Sequence, residues 1–242
     1  LELSFRDKNN EEFDYLVAAD GIYSKTKKIL FKKDGLPEYF NSIALRGNIH
    51  DFYNKDISLY LGPNFHFVIY PVNQNKQSNF ISIIRKELIE VDIFNKNLFN
   101  DKTFINNLAN QISLKSNFNL SEIVKELKCF PIFVSKKIHI PKSKNVFFIG
   151  DAFFSFPPSF AQGASQSIEA ANELYGDLLN NSSNYYKTRV LKTRQIHSRS
   201  SINHFAFHLK NPINIYFRNL FLKRFSQNRS FLENYLGKIY KT

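Results

Sequence analysis

Two strings in this chain place a carboxylate and a glycine directly after an apolar run. In the first, Phe13-Asp14-Tyr15-Leu16-Val17-Ala18-Ala19 closes on Asp20-Gly21, and Ser24 follows as a helix-opening residue. In the second, Asn145-Val146-Phe147-Phe148-Ile149 closes on Gly150-Asp151-Ala152. A proline loop follows, and then Gln162-Gly163-Ala164-Ser165 opens an amphipathic run. Both strings put an acceptor at the carboxy end of a buried strand, the edge at which open α/β sheets hold their ligands. An Asp-Gly pair alone is also an ordinary turn. The second string carries more chemistry. Gly163 lets backbone N–H groups come close to a planar ligand. A helix amino terminus offers unpaired donors and a partial positive charge, suited to a ring edge that gains negative charge. Asp151 can accept hydrogen bonds from hydroxyl groups.

Three further residues are weak candidates for catalysis. Arg46 can pair with a carboxylate or phenolate, His66 can move a proton, and Tyr70 can donate from its hydroxyl. Of the six histidines, His50, His66, His139, His197, His204 and His208, one pair stands four apart, His204 and His208. A third ligand is missing nearby, so no metal site is expected. No serine sits in a Gly-x-Ser-x-Gly elbow, which disfavours hydrolase chemistry.

The elements that would carry these residues follow from periodicity. Strands are predicted at Phe13–Ala19, Ser42–Asp51, Ile57–Leu61, Phe65–Val72, Asn79–Lys86, Phe130–Ser135 and Asn145–Ile149, with turns at Asp7–Glu12, Gly62–Asn64 and Asn73–Ser78. Helices are predicted at Ser24–Phe31, with Ser24 as N-cap, and at Lys102–Ile112, Ser121–Leu127 and Ser165–Leu179. Residues 33–40 read as a loop. The tail from Tyr185 reads as helical with a break at Asn211-Pro212. Along Phe65–Val72, alternation puts Phe65, Phe67 and Ile69 on one face and His66, Val68 and Tyr70 on the other.

With 242 residues, 43% of them hydrophobic, the chain can bury a sizeable core. A single cysteine, Cys129, excludes an internal disulfide framework and fits a reducing compartment. No run reaches the ~18 apolar residues that span a bilayer. A cytoplasmic protein is expected, peripheral to a membrane at most. The formal charge is +12, and from Lys187 onward twelve bases, ending in Lys238 and Lys241, face one acid, Glu233. Such a tail suits a solvated helical face, or attraction to an anionic membrane surface, an anionic substrate or nucleic acid.

Taken together, the two strings resemble the flavin-binding signatures of the FAD-dependent aromatic hydroxylases, the family of p-hydroxybenzoate and salicylate hydroxylases. Ala19-Asp20-Gly21-Ile22-Tyr23-Ser24 resembles the family's Asp-Gly motif. Gly150-Asp151-Ala152 through Gln162-Gly163-Ala164 resembles its Gly-Asp motif. Their separation of about 130 residues, with a strand-rich insertion between, is also similar. Weaker similarity runs through Ala44-Leu45-Arg46-Gly47, Leu61-Gly62-Pro63 and His66 to Val72, and through Phe207-His208-Leu209, Arg218-Asn219 and Tyr235-Leu236-Gly237 in the tail.

The resemblance implies a mixed α/β fold. A Rossmann-like FAD-binding domain, lacking its amino-terminal βαβ unit, would occupy residues 1–40 and 141–182. A substrate-binding antiparallel sheet would occupy 41–140, and a basic helical region 183–242. It implies FAD as cofactor, with Asp151 on the ribityl chain, and Gln162, Gly163, Ala164 and Ser165 on the pyrimidine edge. Pro158 would lie beside the ring system, with Gly150 shaping the turn. Asp20 and Gly21 would lie near the ribityl and pyrophosphate groups, Asp20 being linked also to NAD(P)H use. The implied reaction is hydroxylation of a small phenolic substrate with NAD(P)H and O₂, with no nucleic acid as partner. A dry pocket would be needed, and the strands at 65–85 could wall it. Two departures stand out. Phe153 and Phe154 replace the small residue and histidine that usually follow Gly-Asp-Ala, and Lys28 replaces an arginine, which loses the bidentate fork.

The chain has eight glycines, no two of them two apart, so it contains no Gly-x-Gly-x-x-Gly fingerprint for the ADP half of FAD. With its strand-like opening and no methionine, this leads to the expectation of a piece of a longer protein that alone binds FAD weakly. Two other readings share parts of the pattern. One is a quinone-ring hydroxylase of ubiquinone biosynthesis, or an epoxidase, on the same fold. The other is a non-catalytic basic binding module.

Overall fold

The computed structural model describes residues 1–4, 9–49, 56–72, 77–116, 118–235 and 237. The start of the turn expected at Asp7–Glu12, His50 and Asp51, most of the Asn73–Ser78 turn, Leu236, Lys238 and Lys241 lie outside the described residues. The chain is mixed α/β and divides into two compact units. Among the described residues, the first comprises 1–38 and 133–201 and the second 39–132 and 202–237, so the tail is shared between them at Ser201.

In the first unit the strands Leu16–Ala18 and Val146–Phe148 pair in parallel, Leu16 opposite Val146 and Ala18 opposite Phe148. All three residues of Val146–Phe148 are buried, as the run of consecutive apolar residues requires. Val146 and Phe148 join Ala18, Ala152, Phe153 and Phe154 in one cluster, while Phe147 packs with Leu174 and Tyr185 in another. The far edge of this strand is closed by two tyrosines. Tyr185 Oη donates to the Phe148 carbonyl (2.7 Å), and Tyr186 Oη donates to the Val146 carbonyl (3.1 Å) and accepts from the Phe148 N–H (3.0 Å). The backbone groups of a buried edge thus find partners without another strand.

The helices Gly163–Leu179 and Tyr185–Phe207 are joined in the first unit by a buried charge network. Arg189 reaches Glu173 at 3.1 Å and the Gln166 side-chain oxygen at 2.8 Å; Lys192 reaches Glu169 at 2.5 Å and Glu173 at 2.7 Å. Two of the bases that the sequence placed on a solvated face are therefore buried and paired.

The second unit is built on a five-stranded sheet ordered Ser58–Gly62, Phe65–Pro71, Ser78–Arg85, Glu38–Ile49, Val124–Val134, its first four strands pairing antiparallel. The register sets Ile43 opposite Ile84, Leu45 opposite Ser82, and Phe67 opposite both Tyr60 and Ser82. That face is covered by the helix Lys102–Ser113 through Ile105, Leu108, Ala109 and Ile112. Two expectations are corrected. The loop at 33–40 ends early, because Glu38–Ile49 is one long strand. The helix expected at Ser121–Leu127 is only Leu120–Ile123, and Val124–Val134 is strand. Val124, Leu127 and Cys129 join the sheet's core, and this long-range burial overrides local helix preference.

Candidate flavin edge and substrate face

The parallel ladder of the first unit is extended by Leu16 N–H to the Asn145 carbonyl (2.9 Å) and Ile149 N–H to the Ala18 carbonyl (3.0 Å). Asp20 stands two residues past Ala18, and Gly150 two past its partner Phe148. Both motifs therefore leave neighbouring strands at one carboxy edge. Gly21 has φ +76° and turns the chain toward the helix Lys25–Phe31, where the Ser24 hydroxyl accepts from the Lys27 N–H at 2.9 Å. Asp20 shares the capping, its carboxylate accepting from the Thr26 N–H and hydroxyl, both at 3.1 Å. Burial by itself would raise the Asp20 pKa. Hydrogen bonds from Ser24 and Thr26 outweigh it and hold the group below the ordinary carboxylate range.

Gly150 has φ +58°, and a Cβ there would fall 2.6 Å from Ser167 Oγ. The Gly-Asp turn thus lies directly against the second turn of the helix Gly163–Leu179, and Ser167 Oγ in turn donates to the Gly163 carbonyl (2.9 Å). Asp151 follows at the surface. Its carboxyl is lifted above its ordinary pKa by the protein packed around it, and among the described residues no donor reaches it. The proline loop forms a short 3₁₀ turn, Pro158–Phe160, with Pro158 exposed; Ala161 then takes a left-handed φ of +51° to enter the helix. That helix starts without a side-chain cap and without an acid in its first turn. The Gly163, Ala164 and Ser165 N–H groups precede the first intrahelical bond, Gln166 N–H to the Gln162 carbonyl at 3.0 Å. A Cβ on Gly163 would meet no atom within 4 Å.

One residue here carried no signal in the sequence. Lys27 is 5% exposed and donates from Nζ to the Phe153 carbonyl at 2.9 Å, tying the first motif's helix to the second motif's turn. Burial lowers its pKa to about 8. Lys28, the counterpart of the family's arginine, is exposed. Phe153 and Phe154 are buried in the unit's core, so the departure after Gly-Asp-Ala is absorbed by packing.

In the second unit Arg46, His66 and Tyr70 share one sheet face. Cross-strand pairs place Ala44, Ile83 and His66 in one row, Arg46, Ile81 and Val68 in the next, and Asn48, Asn79 and Tyr70 in a third. The rows differ in access. His66 is 4% exposed, and its Nδ1 lies 2.8 Å from Nε2 of His208, whose residue is itself buried. His66 is thus enclosed, because the tail residues 204–208 cover that end of the face. Burial depresses all three imidazoles, His66 to about 3, His204 to about 4 and His208 to about 2, so they are neutral at pH 7. The other end is open. Arg46, Asn48, Asn79, Glu126, Lys128 and Phe130 line a cleft of about 510 Å³. Asn79 donates to the Tyr70 hydroxyl at 2.5 Å and so orients it. Among the described residues no group of three or more metal-ligating side chains is placed to hold an ion.

No protein-family model matches the sequence, and no curated protein matches it either. Solved structures do match, and the likeness is one of fold. Klebsiella pneumoniae HpxO, solved with FAD and uric acid, superposes with a TM-score of 0.76 at 16% identity, over 98% of this chain and 62% of its own. The 2,6-dihydroxypyridine-3-hydroxylase of Arthrobacter nicotinovorans gives 0.72 at 15%, over 87% and 63%. A salicylate hydroxylase in a substrate complex gives 0.69 at 17%, over 93% and 63%. The chain thus spans about 62% of the length of HpxO.

Proposed function

We propose that this chain forms part of an FAD-dependent monooxygenase that hydroxylates a small, electron-rich aromatic substrate with NAD(P)H and O₂. The observation that carries the reading is the uncapped helix start at Gln162–Ser165. It stands beside the Gly150-Asp151 turn, with open space at Gly163 and no acid in the first turn. This donor set fits an anionic, planar ring edge, and no first-turn carboxylate would repel it. The Gly163, Ala164 and Ser165 N–H groups would hold the flavin's pyrimidine edge. Asp151, free among the described residues, would accept from the ribityl hydroxyls, and Pro158 would flank the ring. Asp20 would act through the turn it caps, near the ribityl and pyrophosphate groups. FAD, when bound, supplies the oxygen chemistry.

The chain's own residues would bind, orient and exclude water. On the sheet face Arg46 would pair with a phenolate or carboxylate of the substrate, and Tyr70, fixed by Asn79, would direct its hydroxyl at a ring substituent. Val68 and Ile81 would provide the apolar wall between them.

Because the ADP-binding fingerprint is absent from this chain, flavin affinity is best read by a method that tolerates weak binding. Adding FAD to isotope-labelled protein should shift the amide resonances of Gly150, Asp151 and Gly163–Ser165 first. In Asp151→Ala those shifts should need several-fold more FAD. Unmoved resonances at these five amides at saturating FAD would overturn the reading.

A further inference from the structure

The helix Pro212–Phe225, in the second unit, is well formed yet buries none of its residues. Asn211 caps it, accepting from the Ile213 N–H at 2.9 Å. Ile213, Tyr216, Phe217, Leu220 and Phe221 recur at helical spacing and are between 48% and 66% exposed. At ~100° per residue they fill one arc about 140° wide. Lys223 and Arg224 project at the same stripe's carboxy end, and neither pairs with a described residue. Between Lys210 and Asn228 every ionisable side chain except Tyr216 is a base: Lys210, Arg218, Lys223 and Arg224. Arg229 is already matched by Glu233 at 2.8 Å.

We propose that this helix lies in the surface of an anionic phospholipid bilayer, its apolar stripe among the upper acyl carbons and Lys223 and Arg224 against the headgroup phosphates. The charge pattern selects this occupant. A second copy meeting the stripe across a twofold would bring uncompensated bases together, with no facing acid to offset them. Nucleic acid would welcome the bases but leave Ile213 and Leu220 in water. A bilayer surface satisfies both, since interfacial helices combine an apolar arc with flanking cations. The helix is about 21 Å long at 1.5 Å per residue, too short to cross, and among the described residues no helix is long and apolar enough to do so. This placement is independent of the flavin reading.

The chain contains no tryptophan, so a single introduced indole reports its own surroundings. Leu220→Trp puts it in the stripe; Leu222→Trp puts it on the opposite side. With phosphatidylcholine vesicles containing phosphatidylglycerol, the Leu220→Trp emission should move to the blue and the Leu222→Trp emission should stay. High salt should reverse the shift, and pure phosphatidylcholine should produce little. Adding Lys223→Glu and Arg224→Glu should weaken the vesicle affinity by at least ~10-fold. An unmoved Leu220→Trp spectrum, equal shifts in both variants, or equal response to neutral vesicles would overturn the proposal. A blue shift that grows with protein concentration and ignores vesicles would overturn it too, assigning the stripe to a second copy. So would a shift with duplex DNA but not with vesicles.

Discussion

Gly150 and Gly163 lack side chains for different reasons, and substitution separates them. At Gly150 a left-handed φ and a 2.6 Å approach to Ser167 Oγ both exclude a Cβ. Gly150→Ala should therefore destabilise the protein by about 2–3 kcal/mol in chemical denaturation. Ser167→Gly in the same chain should return the steric part and leave the ~1 kcal/mol of left-handed strain. At Gly163 φ is unremarkable and the space is empty, so Gly163→Val should change stability by no more than ~0.5 kcal/mol while removing the close approach that a flavin edge needs. A large stability loss at Gly163 would mean that the chain, rather than a ligand, requires the glycine. Lys27 makes a third case. Its ammonium is buried against one carbonyl, and its folded pKa of about 8 lies below the unfolded value of 10.5. The unfolded chain then binds more protons between those values, so this group's penalty, on the order of 3 kcal/mol, is fully present below about pH 8 and fades as pH rises to 10.5. Lys27→Met should be as stable as the parent or more so at pH 7, and its advantage should shrink by pH 10.

The helices Gly163–Leu179 and Tyr185–Phe207 are held in the first unit by Arg189, Lys192, Glu169 and Glu173. In a buried quartet the damage comes from leaving charges unmatched. Both bases reach both carboxylates, Glu173 being the one nearer Arg189, so Glu173→Gln should cost about 2–4 kcal/mol in urea denaturation, whereas an exposed pair such as Arg229–Glu233 should contribute under ~1 kcal/mol. Equal losses at the two sites would show that the quartet is hydrated. This network also marks what the sequence could and could not disclose. Both motif turns were legible, because a strand end, a left-handed glycine and a helix start are local events written in adjacent residues. The Ser24 cap and the Asn211 break belong to the same class. The helix pairing was not, since Arg189 and Glu173 are residues of two different helices whose charges read equally well as solvated faces. Nor was His66 against His208, 142 positions apart, nor the strand at Val124–Val134, whose burial depends on a sheet assembled from elsewhere.

Acid should act unevenly on the two units. The second contains His66, His204 and His208, buried, neutral and with folded pKa values of about 3, 4 and 2 against 6.5 unfolded. Arg85 faces them and lowers His204 and His208 further. For each imidazole the folded value is the lower one. Stability is therefore complete above about pH 6.5 and falls as the unfolded chain gains protons that the folded unit refuses. With three such groups the slope approaches ~4 kcal/mol per pH unit between about pH 6 and 4. In the first unit one imidazole, His197, is lowered in the same sense, and Asp151, whose carboxyl is raised, shifts the balance the other way on acidification. Hydrogen exchange at about pH 5 should therefore expose Phe65–Pro71 and Ser78–Arg85 while Val146–Phe148 and Gly163–Leu179 keep their protection. His208→Gln should flatten the acid slope of the second unit by about one proton. If both units lose protection together at every pH, the histidine cluster does not control acid unfolding and the chain melts as one cooperative body.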